Sequence, residues 1–305
     1  KPDAAYIFGI PDEQFPDNGN GKTIFFDDTE NNILIGAIPD GDYYGYFGYV
    51  KKMILTLHNI IMMKRGFLPF HGAFVQLRVK GGKPMTILTM GDSGAGKSES
   101  LEAFRQIGGE DVQEITIIAD DMGAIRLNPD GSLTGFGTET GAFIRLDDLQ
   151  TGYAFGQIDR TIIMSPDQTN ARVVLPVTTY DTIMRGFPID MVLYANNYQS
   201  VEEGKSTIHW FDKPKEALEV FRAGKVMSKG TTTTTGLTQT YFANVFGPAQ
   251  YVDEHDALAK KFFDAFFKSG VRVGELYTQL GIAGMEHNGP EIAAQELLKL
   301  AKEKK

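Results

Sequence analysis

Residues 85–100 have the sequence MTILTMGDSGAGKSES, which contains the most informative pattern in the chain. It starts with an apolar run suited to a buried strand, and an amphipathic pattern typical of a helix begins at Lys97. Between the two, Gly91 to Ser98 fits G-x-x-x-x-G-K-[ST] at every fixed position. A strand, a glycine-rich turn and a helix in this order indicate an anion-binding loop at a helix N-terminus.

The residue types of this loop predict how it would bind a nucleotide. Its glycines let the backbone amides point inward, Lys97 can reach the β- and γ-phosphates, and the Ser98 hydroxyl can ligate Mg²⁺. The predicted nucleotide-binding residues are Gly91, Asp92, Ser93, Gly94, Ala95, Gly96, Lys97, Ser98 and Glu99. The alternative is a glycine-rich turn that only happens to precede a helix, and the strand–loop–helix context disfavours it.

Two adjacent carboxylates, Asp120 and Asp121, follow the next predicted strand, which covers Glu114 to Ile118. Paired carboxylates suit hard cations such as Mg²⁺ and Mn²⁺. In enzymes with a loop of this type, such an aspartate holds the metal of the nucleotide. The alternative is an acidic turn at the end of a strand, which the neighbouring loop disfavours. His71 is one of five histidines, and spacing alone does not distinguish it from the others.

The composition is that of an ordinary globular protein, with 305 residues, 42% hydrophobic and 23% charged. A net charge of −9 disfavours broad binding to nucleic acids or to anionic membranes, so we expect neither as a partner. Cysteine is absent, which excludes disulfides and thiolate metal sites. The first residues show no signal-peptide pattern and no apolar run could span a bilayer, so a cytoplasmic protein is expected.

Outside the loop, the pattern predicts an α/β fold, a mixed sheet with flanking helices. Strands are expected at residues 23–26, 33–35 and 73–79, and helices at residues 50–65, 256–269 and from Pro290 onward. Because strands outnumber helices in the first two thirds, a regular βαβ alternation is not expected. No linker-like segment divides the chain, which predicts a single domain over residues 1–305.

Several further segments occur in an order shared with one known superfamily. They are Tyr46-Phe-Gly48-Tyr-Val-Lys51-Lys52, Phe70-His71-Gly72-Ala73, Ile118-Ala119-Asp120-Asp121, Glu139-Thr-Gly141-Ala-Phe-Ile-Arg145, Thr169-Asn-Ala-Arg172 and, more weakly, Phe242-Ala-Asn-Val-Phe-Gly247. Together with the glycine-rich loop, they resemble the motifs of the phosphoenolpyruvate carboxykinase superfamily, which also contains the HPr kinase/phosphatases. The resemblance extends from about residue 33 to about residue 190, and it implies the phosphate-loop fold of that superfamily.

The resemblance also implies roles for individual residues. Lys52, His71 and Asp121 would hold a catalytic Mn²⁺, and a lysine ligand must be neutral, so its pKa would have to be depressed. Lys97 and Ser98 would hold the triphosphate and its Mg²⁺ with help from Asp120. The remaining assignments are Arg145 near the γ-phosphate, Arg172 between the transferring phosphoryl group and the acceptor, and Tyr46 beside the substrate.

The chemistry implied by the resemblance converts oxaloacetate and ATP, or another donor such as GTP or pyrophosphate, into phosphoenolpyruvate and CO₂. Carboxykinases usually carry an N-terminal domain that supplies an arginine for the substrate carboxylate. Only some 30 residues precede the match here and the chain begins with Lys, so the sequence leaves room for such a domain upstream.

The sequence leaves two alternatives to the carboxykinase reaction open. His71-Gly72 and Gly96-Lys-Ser-Glu99 resemble the H-G and G-K-S-E of HPr kinases, in which an aspartate acts as base toward a serine hydroxyl. The acceptor would then be a serine on a protein or a small metabolite. The matches at Arg172 and at Lys51-Lys52 favour the carboxykinase branch. A non-catalytic nucleotide-binding module is the third interpretation, and the presence of both phosphate and metal motifs disfavours it.

Overall fold

The computed structural model describes residues 1–15, 23–41, 47–145, 162–164, 172–229, 235–245 and 251–304. The helices are α1 (Phe47–Lys64), α2 (Lys97–Gly108), α3 (Tyr180–Arg185), α4 (Pro214–Ala223), α5 (Val252–Ser269) and α6 (Asn288–Glu303). The strands of the first half are β1 (Ala4–Ile10), β2 (Ile24–Asp28), β3 (Ile33–Pro39), β4 (Leu68–Val79), β5 (Met85–Met90), β6 (Val112–Ala119), β7 (Met122–Leu127), β8 (Leu133–Gly137) and β9 (Gly141–Arg145). Those of the second half are β10 (Ile162–Met164), β11 (Arg172–Pro176), β12 (Phe187–Pro188), β13 (Met191–Asn196), β14 (Ile208–Trp210), β15 (Lys225–Lys229), β16 (Thr235–Gln239) and β17 (Arg272–Tyr277).

The main sheet is mixed, which confirms the expected α/β class. Its strand order is β12-β8-β7-β4-β5-β13-β17-β14, and β6 also pairs with β4. At its centre β5, β13 and β17 run parallel, whereas β4 is antiparallel to β5 and β14 is antiparallel to β17. The three parallel strands therefore end at the same edge of the sheet, where ligands commonly bind in open α/β sheets.

Helices cover both faces of this sheet because neighbouring residues of a strand point to opposite faces. Leu88 of β5 belongs to the core beneath α4 and α5, together with Phe221 and Phe263. Its neighbour Ile87 belongs to the core beneath α2 and α6, together with Phe104. The central strands are thus buried on both sides, as parallel strands usually are.

A smaller sheet in the order β1-β3-β2 packs against α1. Leu34 of β3 meets Leu57 and Ile60 of α1 in a separate small core. This packing holds α1 beside the main sheet, so that its first turns reach the β6–β7 junction. None of the helices in the part of the chain that the structure describes has both the length and the apolar character needed to cross a bilayer.

Several local predictions are confirmed by these bounds. The strand at residues 85–90 and the helix start at Lys97 are found as predicted. Helix α1 is followed by a turn containing Gly66, and α5 ends at Gly270, which adopts the left-handed conformation (φ 79°) common after helices. Helix α5 begins earlier than expected, at Val252, because the polar first turn carries little hydrophobic signal.

A buried histidine, His255 of α5, lies beneath the turn that follows β16. Its side chain is fully buried, its ring contacts Tyr241 and Phe242 edge-on, and the Tyr241 hydroxyl lies 2.9 Å from its Nδ1. Burial lowers the pKa of His255 from its usual 6.5 to about 4, because the charged ring would lose its hydration.

The free energy of unfolding should therefore decrease as the pH falls from 6.5 toward 4. In this range the unfolded chain protonates His255 while the folded chain does not, so the unfolded state gains stability. The contribution lost is at most about 3–4 kcal/mol, from the difference between the two pKa values at about 1.4 kcal/mol per pH unit. Urea denaturation at pH 7 and pH 4.5 should show a smaller decrease for His255→Gln than for the parent chain. Equal decreases in the two proteins would contradict the assignment.

Candidate nucleotide and metal site

The glycine-rich loop, residues 91–98, connects the end of β5 to the start of α2, as the motif requires. Gly94 and Gly96 have φ values of 76° and 94°, which favour glycine. At Gly96 a Cβ would also lie 2.7 Å from the side chain of Thr278. Both the backbone conformation and the available space therefore require glycine at this position.

Two buried side chains at the edge of the sheet hold the loop. Asn197 follows β13 and its side-chain amide donates to the carbonyl of Gly94 at 2.8 Å. Thr278 follows β17 and its hydroxyl donates to the carbonyl of Ala95 at 2.6 Å. Both residues are fully buried. These bonds hold two loop carbonyls against the sheet and so fix the conformation of the loop.

The lysine of the motif, Lys97, is buried and bonded to its own loop. Its ammonium group donates to the carbonyls of Gly91 and Asp92 at 2.7 and 2.9 Å. Ser98 is the second residue of α2, and its side chain lies outside the described part of the chain. The cation of Lys97 therefore lies at the helix N-terminus, where an anion is favoured.

The second half of the site is built around His71 of β4 and Asp121 at the β6–β7 junction. The Nε2 atom of His71 lies 2.8 Å from Oδ1 of Asp121, and the histidine side chain is buried. On the other side of the ring, Nδ1 donates to the carbonyl of Ala243. Because a carbonyl and an ionised carboxylate can only accept, Nδ1 donates to Ala243 and Nε2 donates to Asp121. A cation bound between Nε2 and Asp121 would take the place of the Nε2 proton.

Lys51 is a further member of this cluster. Its ammonium group lies 2.9 Å from Oδ2 of Asp121 and 3.2 Å from Oε2 of Glu139. Its neighbour Lys52 is exposed, and side chains of consecutive helix residues point about 100° apart. The role of Lys52 as a metal ligand stays a prediction, whereas the contacts of Lys51 with the two carboxylates are observed.

Glu139 is a member of the cluster that the sequence reasoning did not select. It follows β8 and belongs to the segment that resembles the superfamily's E-G-G motif, which was the available signal. Its Oε1 atom is buried and has no hydrogen-bond partner among the described residues. A buried unpaired carboxylate oxygen is costly, and it leaves a lone pair for a ligand.

The pKa values of the cluster follow from burial and from its mixture of charges. Burial alone would raise the pKa of Asp121, but His71 and Lys51 outweigh it and hold the pKa well below its usual value. Burial raises the pKa of Asp120 to about 6, with a further contribution from the charge of Asp121. Burial likewise raises the pKa of Glu139 to about 7. Burial would lower the pKa of Lys51, but Asp121 and Glu139 raise it to about 12.

Strand β4 joins the two halves directly. The backbone amide of Gly91 donates to the carbonyl of His71 at 3.1 Å, and the amide of Gly72 donates to the carbonyl of Asp121 at 2.8 Å. A Cβ at Gly72 would lie 2.5 Å from the carbonyl oxygen of Thr89, so glycine is needed for this close approach. The start of the glycine-rich loop and Asp121 are therefore held against opposite edges of one strand, which itself carries His71.

Two of the predicted phosphate-binding residues come together through their backbones. Arg145 of β9 and Arg172 of β11 are register partners in an antiparallel pair. Their side chains lie outside the described part of the structure, as do Tyr46 and residues 169–171. The structure thus places the two arginines opposite each other on neighbouring strands, and the contacts of their side chains stay predictions.

The residues present fit a divalent cation only in part. Among the described residues, no group of three or more His, Asp or Glu side chains is arranged to hold a metal ion. His71 and Asp121 provide an imidazole and a carboxylate, which suit Mn²⁺ or Mg²⁺. The resemblance implies a neutral lysine amine as a further ligand, whereas Lys51 is held as an ammonium ion between two carboxylates. Lys51 therefore fits as a balancing charge in this arrangement.

Known protein families and curated proteins were compared with the chain. No protein-family model matches the chain, and no curated protein matches it significantly. The functional argument therefore depends on the residues of the site itself.

The different positions of Lys51 and Lys52 can be tested by stability. Lys51→Met should lower the free energy of unfolding by about 2–3 kcal/mol, because two partly buried carboxyl groups, Asp121 and Glu139, lose the cation that pairs with them. Lys52→Met removes an exposed charge from the same helix turn and should change it by less than about 1 kcal/mol. Urea denaturation of both variants at pH 7 measures the difference. Similar losses in the two proteins would contradict the placement of Lys51.

Proposed function

We propose that the chain binds a nucleoside triphosphate at residues 91–98 and transfers its terminal phosphoryl group with the help of a divalent cation at His71 and Asp121. The observation that carries this proposal is the pair of backbone bonds by which β4 joins the loop to Asp121. Through them a polyphosphate site and a site for a cation become neighbours, and phosphoryl transfer requires both.

We further propose a phosphoenolpyruvate carboxykinase-like fold and reaction. The C–C bond between the carboxylate and the methylene carbon of oxaloacetate breaks and releases CO₂. Its electron pair passes to the keto oxygen, which bonds to the γ-phosphorus of ATP as ADP leaves. The register pairing of Arg145 with Arg172 supports this branch, because two cations carried on neighbouring strands suit a transferring phosphoryl group. The substrates are small molecules, and neither nucleic acid nor membrane takes part.

The chain's own residues have separate tasks in this reaction. The amides at the start of α2 and the ammonium group of Lys97 bind the phosphate oxygens. Lys51 keeps Asp121 ionised, and the Ala243 carbonyl keeps Nε2 of His71 directed at Asp121. When bound there, Mn²⁺ or Mg²⁺ would supply electrostatic stabilisation of negative charge on oxygen.

An HPr kinase-like activity is the second candidate, and the position of Asp120 favours it. This carboxylate lies at the β6–β7 junction next to Asp121 and interacts electrostatically with Lys97. A carboxylate beside the phosphate loop can accept the proton of a serine hydroxyl as that oxygen bonds to the γ-phosphorus. The acceptor would be a serine on a protein or a small metabolite.

The two candidates are separated by offering one labelled donor to different acceptors. The chain is incubated with γ-labelled ATP, Mg²⁺ and Mn²⁺, and with oxaloacetate, free serine or an HPr-like protein in turn. Labelled phosphoenolpyruvate that depends on oxaloacetate supports the carboxykinase reaction. Label on serine or on the protein, without phosphoenolpyruvate, supports the kinase. A protein that binds ATP but labels no acceptor would overturn phosphoryl transfer.

The variant Lys97→Ala should lower the rate of phosphoryl transfer at least about a hundredfold. Its cation is buried at the loop, where water cannot replace it as a partner for the phosphate charge. The control is Lys80→Ala, which removes an exposed lysine after β4 and should retain the parent rate. The measurement is initial rate under saturating ATP, with folding checked by circular dichroism. A parent-like rate in Lys97→Ala would refute the role of this residue.

A further inference from the structure

The turn after β16, residues 240–244, has an unusual backbone. Phe242, Ala243 and Asn244 adopt φ values of 46°, 54° and 62°, in the left-handed region. Asn tolerates this region, but for Phe and Ala it is sterically unfavourable. A run of such residues persists only where the surrounding structure enforces it, and these conformations cluster at functional sites.

The surroundings of the turn supply that enforcement. The Phe242 ring packs on His255 at 4.9 Å and on Phe263 at 6.3 Å, between ring centroids. On the other side, the turn lies against the backbone of Gly224, the left-handed residue that ends α4. A Cβ at Gly224 would lie 1.7 Å from the carbonyl oxygen of Thr240. The turn can therefore keep its conformation only if residue 224 has no side chain.

The two ends of the turn reach the two halves of the candidate site. The Ala243 carbonyl accepts from Nδ1 of His71. The Thr240 hydroxyl donates to Oδ2 of Asp92 at 3.1 Å, and Asp92 is a residue of the glycine-rich loop. The left-handed conformation directs the Ala243 carbonyl at the ring of His71 while Thr240 remains beside the loop.

We propose that residues 240–244 are a positioning element that orients His71 for a divalent cation and Asp92 for the nucleotide loop. The purpose of this element rests on the proposed function, whereas its geometry is observed independently of that function. A partner that fixes the proton on one ring nitrogen directs the other nitrogen to the metal, and loss of such a partner commonly weakens metal binding about ten- to a hundredfold. Gly224 belongs to the element because its lack of a side chain makes room for the turn.

The first experiment follows the proton on His71 in the metal-free protein. The Nδ1 proton bonded to Ala243 should give a downfield NMR resonance that disappears in His71→Gln, and its correlation to the Nδ1 nitrogen distinguishes it from the Nε2 proton that faces Asp121. Gly224→Ala forces the turn away and should shift this resonance upfield or abolish it. Gly270→Ala is the matched control, because Gly270 is also a left-handed residue that ends a helix, but a Cβ there would extend into open space. An unchanged resonance in folded Gly224→Ala would overturn the inference.

The second experiment measures ligand affinity by calorimetry. Gly224→Ala should weaken binding of Mn²⁺ alone at least about tenfold, whereas Gly270→Ala should leave it within about twofold of the parent. Thr240→Val removes only the hydroxyl and should weaken binding of ATP about fivefold, and Thr240→Ser should restore it. These isosteric and conservative variants keep the test valid if Gly224→Ala does not fold.

The outcomes separate the two proposals. If the parent chain binds neither Mn²⁺ nor ATP, the proposed function fails, while the His71 resonance still decides whether the turn positions the ring. If the parent binds both ligands and the Gly224 and Thr240 variants bind them equally well, the positioning element is wrong and the proposed function stands.

Discussion

The candidate site depends on one partly buried ionic interaction, the contact of Asp121 with Lys51 and His71. A carboxylate taken out of water is unstable unless it is paired and hydrogen-bonded, and Asp121 has both kinds of partner. The pairing explains why this carboxyl remains ionised while its neighbours Asp120 and Glu139 have raised pKa values. Unequal environments thus give three nearby carboxyl groups different protonation behaviour, as is common at reactive sites.

The sheet converts this local interaction into a site with two halves. Strand β4 contacts the loop through His71 and the acidic junction through Gly72, so the two halves are separated by a single strand. The parallel strands β13 and β17 end beside β5, and the residues that follow them, Asn197 and Thr278, hold the loop from below. Hydrogen bonds from residues at one edge of the sheet therefore hold the loop at several points along its backbone.

Three neutral groups orient the loop and His71, and charged side chains make up the rest of the candidate site. Asn197, Thr278 and the Ala243 carbonyl contact the backbone or ring of site residues and carry no net charge. Lys97, Lys51 and Asp121 carry the charges. The neutral contacts fix the geometry, and the charged groups, which are paired with loop carbonyls or with one another, carry the charge that would interact with a polyphosphate and a cation.

Some parts of the site could be predicted from the sequence and others could not, for reasons that differ from residue to residue. Segment 85–100 was predicted with its strand, loop and helix because each depends on local periodicity and on glycine, and these are properties of neighbouring residues. The sequence also indicated Asp121, through its place in an acidic pair after a predicted strand, but it indicated His71 only through a resemblance, since nothing local distinguishes His71 from the other histidines. The choice between Lys51 and Lys52 required knowledge of which side of α1 faces the sheet, and periodicity is weak in a helix that is apolar nearly all round.

The amino-acid sequence by itself determined the glycine-rich loop, the strands and helices on either side of it, the exclusion of thiolate chemistry and the mixed α/β class. Only the tertiary structure decided that Lys51 and Glu139 surround Asp121, that Asn197 and Thr278 hold the loop, and that the Ala243 carbonyl orients His71. The reason is physical: the first set depends on patterns within short stretches of chain. The second set depends on contacts between residues as far apart as His71 and Ala243, which only the packing of the sheet and helices brings together.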